Sequence, residues 1–348
     1  MKVLMKGAEV FGEAAIQAGC RYFFGYPITP QNEIPEYMSG HLDKVGGVYV
    51  QAESEVASIN MVLGAAASGA QVMTSSSSPG ISLMSEGLSY LAGSELPCVI
   101  VNVMRAGPGL GGILPAQGDY NQACHGGAHG DFHLFVLAPS NLQEVVEMVQ
   151  KSWDYAFKYR TPVMILADGF MGQMMEPVEI TAHECDRGNF KDWALGYFEE
   201  RGGKRSLLKS LHLAAEPLEA HNQHLQAKYA AMQEDAQWEE YQLDDAELVI
   251  TGFGTTARIA KTAVDHLRAE GHKVGLLRPK TLFPFPSKAY ENLGPSVKKV
   301  LDVEMNYGQM LADVQLALNG RIPVEFYGRA GGFAPSVEEI TDVARKLL

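Results

Sequence analysis

The sequence has 348 residues, enough for two domains of ordinary size, and its 46% hydrophobic and 20% charged residues match a soluble globular composition. The formal net charge of −13 argues against nucleic acid or an anionic membrane surface as the partner. The four cysteines form no Cys-x-x-Cys pair, so we expect neither a zinc site nor an iron–sulfur cluster on this chain, and a reducing, cytoplasmic setting.

Up to about residue 182, short apolar runs alternate with helical stretches. The N-terminus lacks the apolar run of a signal peptide, and no stretch reaches the roughly 18 apolar residues of a membrane span. Strands that are apolar throughout, each separated by a helix, predict a parallel sheet covered on both faces. The predicted strands are 21–25, 47–50, 71–74, 98–104, 132–137 and 162–167, and the predicted helices are 7–18, 55–68, 81–93 and 142–158.

Residues 183–244 differ from the rest of the chain. They are charged and end in a predicted polar helix, 213–242, whose weak apolar stripe indicates a linker or arm lying on a partner surface. The βα alternation then resumes, with strands at 248–251, 274–277 and 300–303 and helices at 256–270, 308–318 and 337–348. We therefore expect an α/β protein with two doubly wound domains, 1–182 and 245–348, joined by this partly helical arm.

Four loops follow strand ends of the first domain, and ligands bind at that edge of a doubly wound sheet. Thr29 lies in a turn stiffened by two prolines, and Glu55 begins a helix of small residues, where loss of water would raise a carboxyl pKa towards the range useful for proton transfer. Four consecutive serines in loop 74–80 can line a polar pocket or wrap an anion. Arg105 follows a buried strand and is well placed to hold a carboxylate bidentately.

Each of these features also has a structural explanation. Glu55 can simply complement the positive end of its helix, and Thr29 can be an N-cap residue. The serine run can be a solvated turn, and Arg105 can pair with a structural aspartate such as Asp119.

Two further patterns leave alternatives open. His125, His129 and His133 have a spacing that would permit metal binding, although loop histidines without a carboxylate partner more often lie near a ligand or at an interface. Residues 252–257, Gly-Phe-Gly-Thr-Thr-Ala, are similar to a dinucleotide fingerprint, yet Arg278 stands near where an acidic residue would contact the ribose. An NADP-dependent dehydrogenase and a non-catalytic docking protein are thus the alternatives from other classes.

Several motifs together resemble the 2-oxoacid:ferredoxin oxidoreductases, specifically the alpha-type subunit with the thiamine pyrimidine-binding domain. These motifs are Tyr26-Pro-Ile-Thr-Pro, Glu53-Ser-Glu, Ser78-Pro-Gly and Arg105-Ala-Gly-Pro-Gly. The Arg105 stretch with Gln117-Gly-Asp-Tyr and Gly126-Gly-Ala-His-Gly is most similar to the branched-chain 2-oxoacid (2-ketoisovalerate) branch. The resemblance covers nearly the whole chain, since residues 304–310 are typical of a transketolase C-terminal-like domain.

The resemblance implies roles for individual residues. Glu55 would contact N1′ of the thiamine aminopyrimidine and promote the tautomer whose 4′-nitrogen takes the proton from the thiazolium C2. Thr29 and Arg105 fall where the family contacts the 2-oxo acid, the hydroxyl at the oxo group and the guanidinium at the carboxylate. The residues expected on the cofactor-binding side are Tyr26, Pro27, Glu55, Ser77 and Ser78.

The family's diphosphate motif, Gly-Asp-Gly followed 25–30 residues later by Asn, does not occur in this sequence. The resemblance therefore implies that a beta-type subunit holds the diphosphate and its Mg²⁺, so that no metal ligands are expected here. Gamma and ferredoxin-like delta subunits would carry the 4Fe–4S clusters. The implied reaction is oxidative decarboxylation of a branched-chain 2-oxo acid to acyl-CoA and CO₂, with coenzyme A as acyl acceptor and ferredoxin as electron acceptor.

The enzyme would be active only with its partner subunits. 2-Oxoglutarate and pyruvate remain open as substrates. A neutral side chain is preferred because 2-oxoglutarate would favour an extra basic group, for which the histidines near Gly126 are the candidates.

Overall fold

Three β-sheets and the helices around them form the structure, a computed structural model that describes residues 2–348. No helix in this range is long and apolar enough to cross a membrane. In chain order the elements are β1 (Val3–Lys6), α1 (Gly7–Gln17), β2 (Tyr22–Gly25), α2 (Glu33–His41), β3 (Val48–Gln51), α3 (Glu55–Ala67), β4 (Val72–Ser76), α4 (Ser78–Gly93), β5 (Cys98–Met104), α5 (Tyr120–Cys124), β6 (Phe135–Leu137), α6 (Leu142–Tyr159), β7 (Pro162–Asp168), α7 (Gly169–Gln173), β8 (Met175–Val178), α8 (Ala215–Ala231), β9 (Trp238–Tyr241), β10 (Leu248–Thr251), α9 (Gly254–Ala269), β11 (Val274–Pro279), β12 (Thr281–Phe283), α10 (Ser287–Glu291), β13 (Lys299–Glu304), α11 (Leu311–Leu318), β14 (Val324–Gly328) and α12 (Val337–Arg345).

The largest sheet has seven strands in the order β12-β6-β7-β5-β4-β2-β3. All six strands predicted for the first part of the chain lie in this sheet and run parallel to one another. Every residue of β4, β5 and β7 is buried, because helices cover both faces, and this explains why these strands are apolar runs without alternation. The predicted α/β class is confirmed.

The second sheet has the order β14-β13-β10-β11-β9, parallel except for β9. The predicted helix 213–242 is wrong at its C-terminal end: α8 stops at Ala231, and Trp238–Tyr241 forms the edge strand β9. Tertiary contacts explain the difference, because Glu239 pairs with Arg278 across the β9–β11 ladder and accepts a hydrogen bond of 2.8 Å from its Nε. The stretch assigned to the arm thus supplies a strand of the second sheet.

The first sheet in turn receives a strand from the C-terminal part. Strand β12 pairs antiparallel with β6 at its edge. The second sheet thus takes an edge strand from the arm and the first sheet takes one from the C-terminal part, and the division into 1–182, 183–244 and 245–348 stays a prediction.

Helix α2 was not predicted, because two prolines marked its surroundings as a turn. Pro35 lies in the first turn of α2, where a backbone N–H has no intrahelical acceptor, so the proline removes no helical hydrogen bond. The antiparallel pair of β1 and β8 was also missed, and it ties the N-terminus to residues 175–178.

The arm lies for much of its length on its own chain. Arg187 donates to the carbonyl of Gly69, His221 Nε2 donates to Gly93 O at 2.7 Å, and Lys228 Nζ lies 3.1 Å from Glu95 Oε1. Leu225 and Tyr229 of α8 are buried against the first sheet's core. These contacts explain how a polar helix can be ordered without an apolar stripe of its own.

A buried ion pair joins the two main sheets. Arg278 of β11 reaches Glu144 of α6 with two hydrogen bonds, Nη2 to Oε1 at 2.5 Å and Nη1 to Oε2 at 3.0 Å. Burial alone would raise the pKa of the Glu144 carboxyl, but the charge of Arg278 and hydrogen bonds from Arg278 and Ser140 lower it to about 2. Because both partners are buried, each depends on the other for compensation of its lost hydration.

We expect Glu144→Gln to lower the free energy of unfolding by roughly 3 kcal/mol at neutral pH, because it leaves Arg278 without its bidentate partner. The wild-type ion pair stabilises the fold fully above the unfolded-state pKa of about 4.3, and this contribution is lost as pH falls towards 2. Urea unfolding at pH 6.5 and pH 3 measures both effects.

Glu147→Gln, on an exposed position of the same helix, is the matched control and should leave the unfolding free energy nearly unchanged. Parallel loss of stability on acidification in Glu144→Gln and in the wild-type protein would contradict this role of Glu144.

Candidate active site

The carboxyl ends of β2, β3, β4 and β5 bring the predicted loops to one edge of the first sheet. Glu55 is the first residue of α3, and its side chain is only 5% exposed. The capping alternative does not apply to it in full, because Ser54 is the N-cap and accepts the hydrogen bond from Ala57 N at 3.1 Å. Across residues 2–348 no hydrogen bond reaches the Glu55 carboxylate, so this buried group is available to a ligand.

A missing side chain makes room for Glu55. A Cβ atom on Gly80, in the first turn of α4, would lie 2.7 Å from Glu55 Oε1 and would overlap Ser76 Oγ. The hydroxyls of Thr74, Ser76 and Ser77 are buried and have no hydrogen-bond partner among the described residues. The serine turn is thus no solvated loop: its buried hydroxyls lack partners among the described residues, and Ser76 Oγ and the Glu55 carboxylate both adjoin Gly80.

Ser78 has a different position. Its hydroxyl donates to Asp119 Oδ2 at 2.6 Å and accepts from the backbone N–H of Arg105 at 3.0 Å. Asn102 Nδ2 donates to the same Asp119 oxygen at 2.9 Å. Burial raises the pKa of Asp119 in spite of these two hydrogen bonds. Ser78 is therefore already bonded to protein atoms and fixes the backbone at Arg105.

Arg105 is 7% exposed and lies without a carboxylate partner. Its Nη1 donates to Thr29 O at 3.0 Å and its Nη2 to Leu110 O at 2.9 Å, while its Nε is buried and has no partner among the described residues. The ion pair with Asp119, left open from the sequence, is not formed. A buried guanidinium whose partners are carbonyl oxygens alone has no counter-charge, so the site favours an anionic ligand.

Two hydrogen bonds through the Gln31 side chain hold the loop of Thr29 in place. Ser75 Oγ donates to Gln31 Oε1 at 2.5 Å, and Gln31 Nε2 donates to Tyr26 O at 3.2 Å. Thr29 is exposed and is not an N-cap, because α2 begins after Asn32. Pro27 is exposed beside a half-buried Tyr26. The structure thus brings Thr29 to Arg105 through its carbonyl and leaves the Thr29 side chain at the surface of the site.

The three histidines lie apart from Glu55. His125 Nε2 is 2.8 Å from Asp313 Oδ2, and this hydrogen bond raises the His125 pKa. His133 stacks on Phe283 at 4.0 Å between ring centroids, and its burial lowers its pKa. His129 faces a cavity under the arm. No group of three or more His, Cys, Asp or Glu side chains in residues 2–348 could hold a metal ion.

Gln117 is a residue that sequence reasoning missed. It is fully buried, and its side chain donates to Phe253 O at 2.7 Å and accepts from Thr256 Oγ1 at 2.5 Å and from Met305 N at 3.1 Å. Its backbone exchanges further hydrogen bonds with Met305 and Asn306. The Gln117 amide therefore fastens the loop that begins at Arg105 to the second sheet. The buried amide side chains of Gln31 and Asn102 gave no sequence signal either.

The glycine-rich turn 252–257 supplies two of the hydrogen-bond partners of the Gln117 side chain. The Phe253 carbonyl and the Thr256 hydroxyl are both bonded to Gln117, so the turn faces the first sheet. Arg278, the other residue of the dinucleotide alternative, is buried in ion pairs with Glu144 and Glu239. Neither group is free for a dinucleotide phosphate, which disfavours the NADP-dependent alternative.

Comparison with known proteins gives consistent matches. Residues 13–244 match the family "Pyruvate flavodoxin/ferredoxin oxidoreductase, thiamine diP-bdg", and residues 246–340 match "Pyruvate:ferredoxin oxidoreductase core domain II". The ketoisovalerate oxidoreductase subunit VorB of Methanothermobacter marburgensis is 47% identical over 99% of this chain and 96% of its own. The 2-oxoglutarate synthase subunit KorA of Archaeoglobus fulgidus is 36% identical over 93% and 94%.

Solved structures agree with these relatives. The 2-oxoglutarate:ferredoxin oxidoreductase from Magnetococcus marinus, with 2-oxoglutarate, coenzyme A and succinyl-CoA bound, superposes with a TM-score of 0.89 at 30% identity. The match covers 99% of this chain and 65% of that one. A split-gene transketolase, at 11% identity and a TM-score of 0.60, shares the fold.

We expect Gln117→Ala to lower the free energy of unfolding by roughly 2–4 kcal/mol, because it leaves buried partners of the amide without hydrogen bonds. Gln309→Ala is the matched control, since Gln309 bonds Gly118 and Asn121 across the same boundary from a more exposed position. Its expected cost is below about 1 kcal/mol. Urea unfolding followed by tryptophan fluorescence makes the comparison, and equal costs would contradict the anchoring role of Gln117.

Proposed function

The chain belongs to the thiamine-diphosphate-dependent 2-oxoacid:ferredoxin oxidoreductase family, and we propose that it contributes the pyrimidine-binding half of a site that decarboxylates a branched-chain 2-oxo acid. The observation that carries the proposal is a pair of buried ionisable side chains, Glu55 and Arg105, neither of which has an oppositely charged partner among the described residues; both adjoin the first turn of α4. Gly80 of that turn adjoins Glu55, and Ser78 bonds the backbone of Arg105.

The residues fit the flat, polar aminopyrimidine. The Glu55 carboxylate and the partnerless hydroxyls of Ser76 and Ser77 supply hydrogen-bonding groups, and the absent Cβ of Gly80 keeps the space beside them open. Thiamine diphosphate, when bound, supplies a carbon nucleophile at C2 of its thiazolium ring. Glu55 would share a proton with N1′ of the pyrimidine, and its burial makes that hydrogen bond strong because water does not compete for it. Tyr26 and Pro27 would flank the ring.

Arg105 would hold the substrate carboxylate until CO₂ departs. The guanidinium is fixed by the carbonyls of Thr29 and Leu110, so its position is set before the substrate arrives. The exposed Thr29 hydroxyl can then donate to the oxo group of the substrate.

An apolar substrate tail fits the loop after Arg105. Residues 106–114 contain no charged side chain and expose Leu110, Ile113 and Leu114. A second carboxylate, as in 2-oxoglutarate, would find no cation in this loop. The ketoisovalerate relative supports the same substrate class, while the 2-oxoglutarate relatives keep that acid as the second candidate.

The rest of the active complex would come from other subunits. A beta-type subunit would hold the diphosphate through Mg²⁺, because the described residues of this chain contain no metal-ligand cluster that could do so. Gamma and ferredoxin-like delta subunits would carry the 4Fe–4S clusters, with ferredoxin as the electron acceptor and coenzyme A as the acyl acceptor. The four cysteines are free thiols, which supports a cytoplasmic location for the complex. Domain boundaries at 182 and 244 complete the proposal.

We expect Glu55→Gln to lower kcat about 10²- to 10⁴-fold with 2-ketoisovalerate, pyruvate and 2-oxoglutarate alike, because Glu55 acts on the cofactor and not on the substrate tail. The assay is 2-oxoacid-dependent dye reduction by the assembled complex, in which wild type should have its highest kcat/KM with 2-ketoisovalerate.

Glu53→Gln is the matched control, since Glu53 is an exposed glutamate two residues earlier in the same loop. It should retain wild-type activity. Activity of Glu55→Gln near that of Glu53→Gln would remove Glu55 from its proposed role.

Gly80→Ala should also abolish most activity while the chain still folds. The added Cβ meets the movable ends of Glu55 and Ser76, so these side chains shift rather than the backbone. Gly64→Ala on helix α3 is the control, because no atom lies within 4 Å of its Cβ position. Thermal unfolding and the dye-reduction assay together test the pair; a fully active Gly80→Ala would show that no ligand depends on the position of Glu55.

A further inference from the structure

The arm contains a segment whose hydrogen bonding is incomplete. Residues 205–213, here called the leucine segment, run between the turn at 199–204 and helix α8. Among residues 2–348 no backbone–backbone hydrogen bond involves this segment, although it crosses the surface of an otherwise well-bonded chain. Nine consecutive residues therefore have peptide groups that a neighbouring strand could pair with, as at an exposed sheet edge.

From Arg205 to Lys209 exposed and partly buried side chains alternate with a period of two, as in a strand, and His212 is again partly buried between exposed neighbours. Ser206, Leu208 and His212 face inward: Ser206 Oγ donates to Trp193 O at 2.5 Å, Leu208 packs on the core, and His212 stacks on His221 at 5.0 Å. These side chains hold the segment in place. The peptide groups therefore remain available although the segment is ordered.

The outward face combines leucines and cations. Leu207, Leu211 and Leu213 are 77%, 68% and 93% exposed. Arg205 and Lys209 stand on the same face, with Lys204 just before them, and these three exposed cations form no ion pair among the described residues. No acidic residue lies between Arg201 and Ala215, whereas the whole chain carries a net charge of −13.

We propose that the leucine segment is a docking strand for another subunit of the complex, which pairs with it through an acidic edge strand. Main-chain hydrogen bonds would satisfy the unpaired peptide groups, apolar side chains of the partner would cover Leu207, Leu211 and Leu213, and carboxylates would meet Lys204, Arg205 and Lys209. The inference rests on the proposed function only in that the chain works as one subunit of several.

The charges of the leucine segment and of the whole chain indicate which kind of partner the segment fits. Three cations on a chain of net charge −13 cannot hold nucleic acid or an anionic membrane, since the rest of the surface repels both. Two copies of the segment paired about a two-fold axis would bring cations against cations. An acidic strand of a different subunit could pair with the free peptide groups of the leucine segment and also neutralise its three cations.

The test compares two triple charge reversals in the complex that co-purifies with the tagged chain. Lys204→Glu with Arg205→Glu and Lys209→Glu should weaken retention of one partner subunit about tenfold or more, because carboxylates would then face carboxylates. The control reverses Lys44, Lys288 and Lys346, which are exposed and unpaired in the described structure and give the same change in net charge. Native mass spectrometry at increasing salt measures retention, and unchanged thermal unfolding of the isolated chain shows that both variants fold.

Carbodiimide cross-linking of the wild-type complex identifies the occupant, since it joins lysine amines to carboxylates in direct contact. Lys204 and Lys209 should link to acidic residues of one other subunit. Links only within this chain, links to a second copy in an isotope-mixed sample, or equal loss of the subunit in both triple variants would overturn the proposal. Dye reduction with Glu55→Gln addresses the function separately, because that residue lies outside the arm.

Discussion

The geometry of the site depends on one amide, that of Gln117. The loop that starts at Arg105 crosses from the first sheet to the second and returns through Asp119, and Gln117 fixes its far end with hydrogen bonds to Phe253, Thr256 and Met305. The near end is fixed by Ser78 on the Arg105 backbone. Because both ends are held by buried groups, the guanidinium has little freedom, and the second sheet contributes to the site without supplying a side chain to it.

The two main sheets also depend on each other for their edge strands. Strand β12 extends the first sheet and β9 extends the second, although sequence order alone would assign each to the other side. Arg278 adds an ion pair to Glu144 at the same junction. A C-terminal unit attached in this way cannot move as a hinged module without breaking β-ladder pairs and a buried ion pair. The structure thus favours a rigid connection between the two sheets.

What the sequence predicted, and what it did not, follows from where the determining contacts lie. The strands of the first sheet were predictable because burial on both faces makes them apolar throughout. The placement of Glu55, Thr29 and Arg105 at one edge was predictable because the strands before them run parallel and end there, while their roles stay a prediction. Strand β9 and the amides of Gln31, Asn102 and Gln117 were missed, since their structure depends on partners many residues away that no local pattern encodes.

The burial of Glu55 and Arg105 without oppositely charged partners among the described residues gives a physical reason to expect a ligand that does not depend on any relative. Burial of an ionised group without a counter-charge raises the free energy of the folded state by several kcal/mol. Burial of a neutral polar group without a partner raises it by about 1–3 kcal/mol. In the first turn of α4, Ser78 bonds the backbone N–H of Arg105 and Gly80 adjoins the Glu55 carboxylate, and no ion pair joins Glu55 to Arg105 among the described residues. Polar ligands on either side of that turn would recover both costs. A cationic or protonated ring beside Glu55 and a carboxylate beside Arg105 satisfy this requirement, which is the charge pattern of an aminopyrimidine next to a 2-oxo acid.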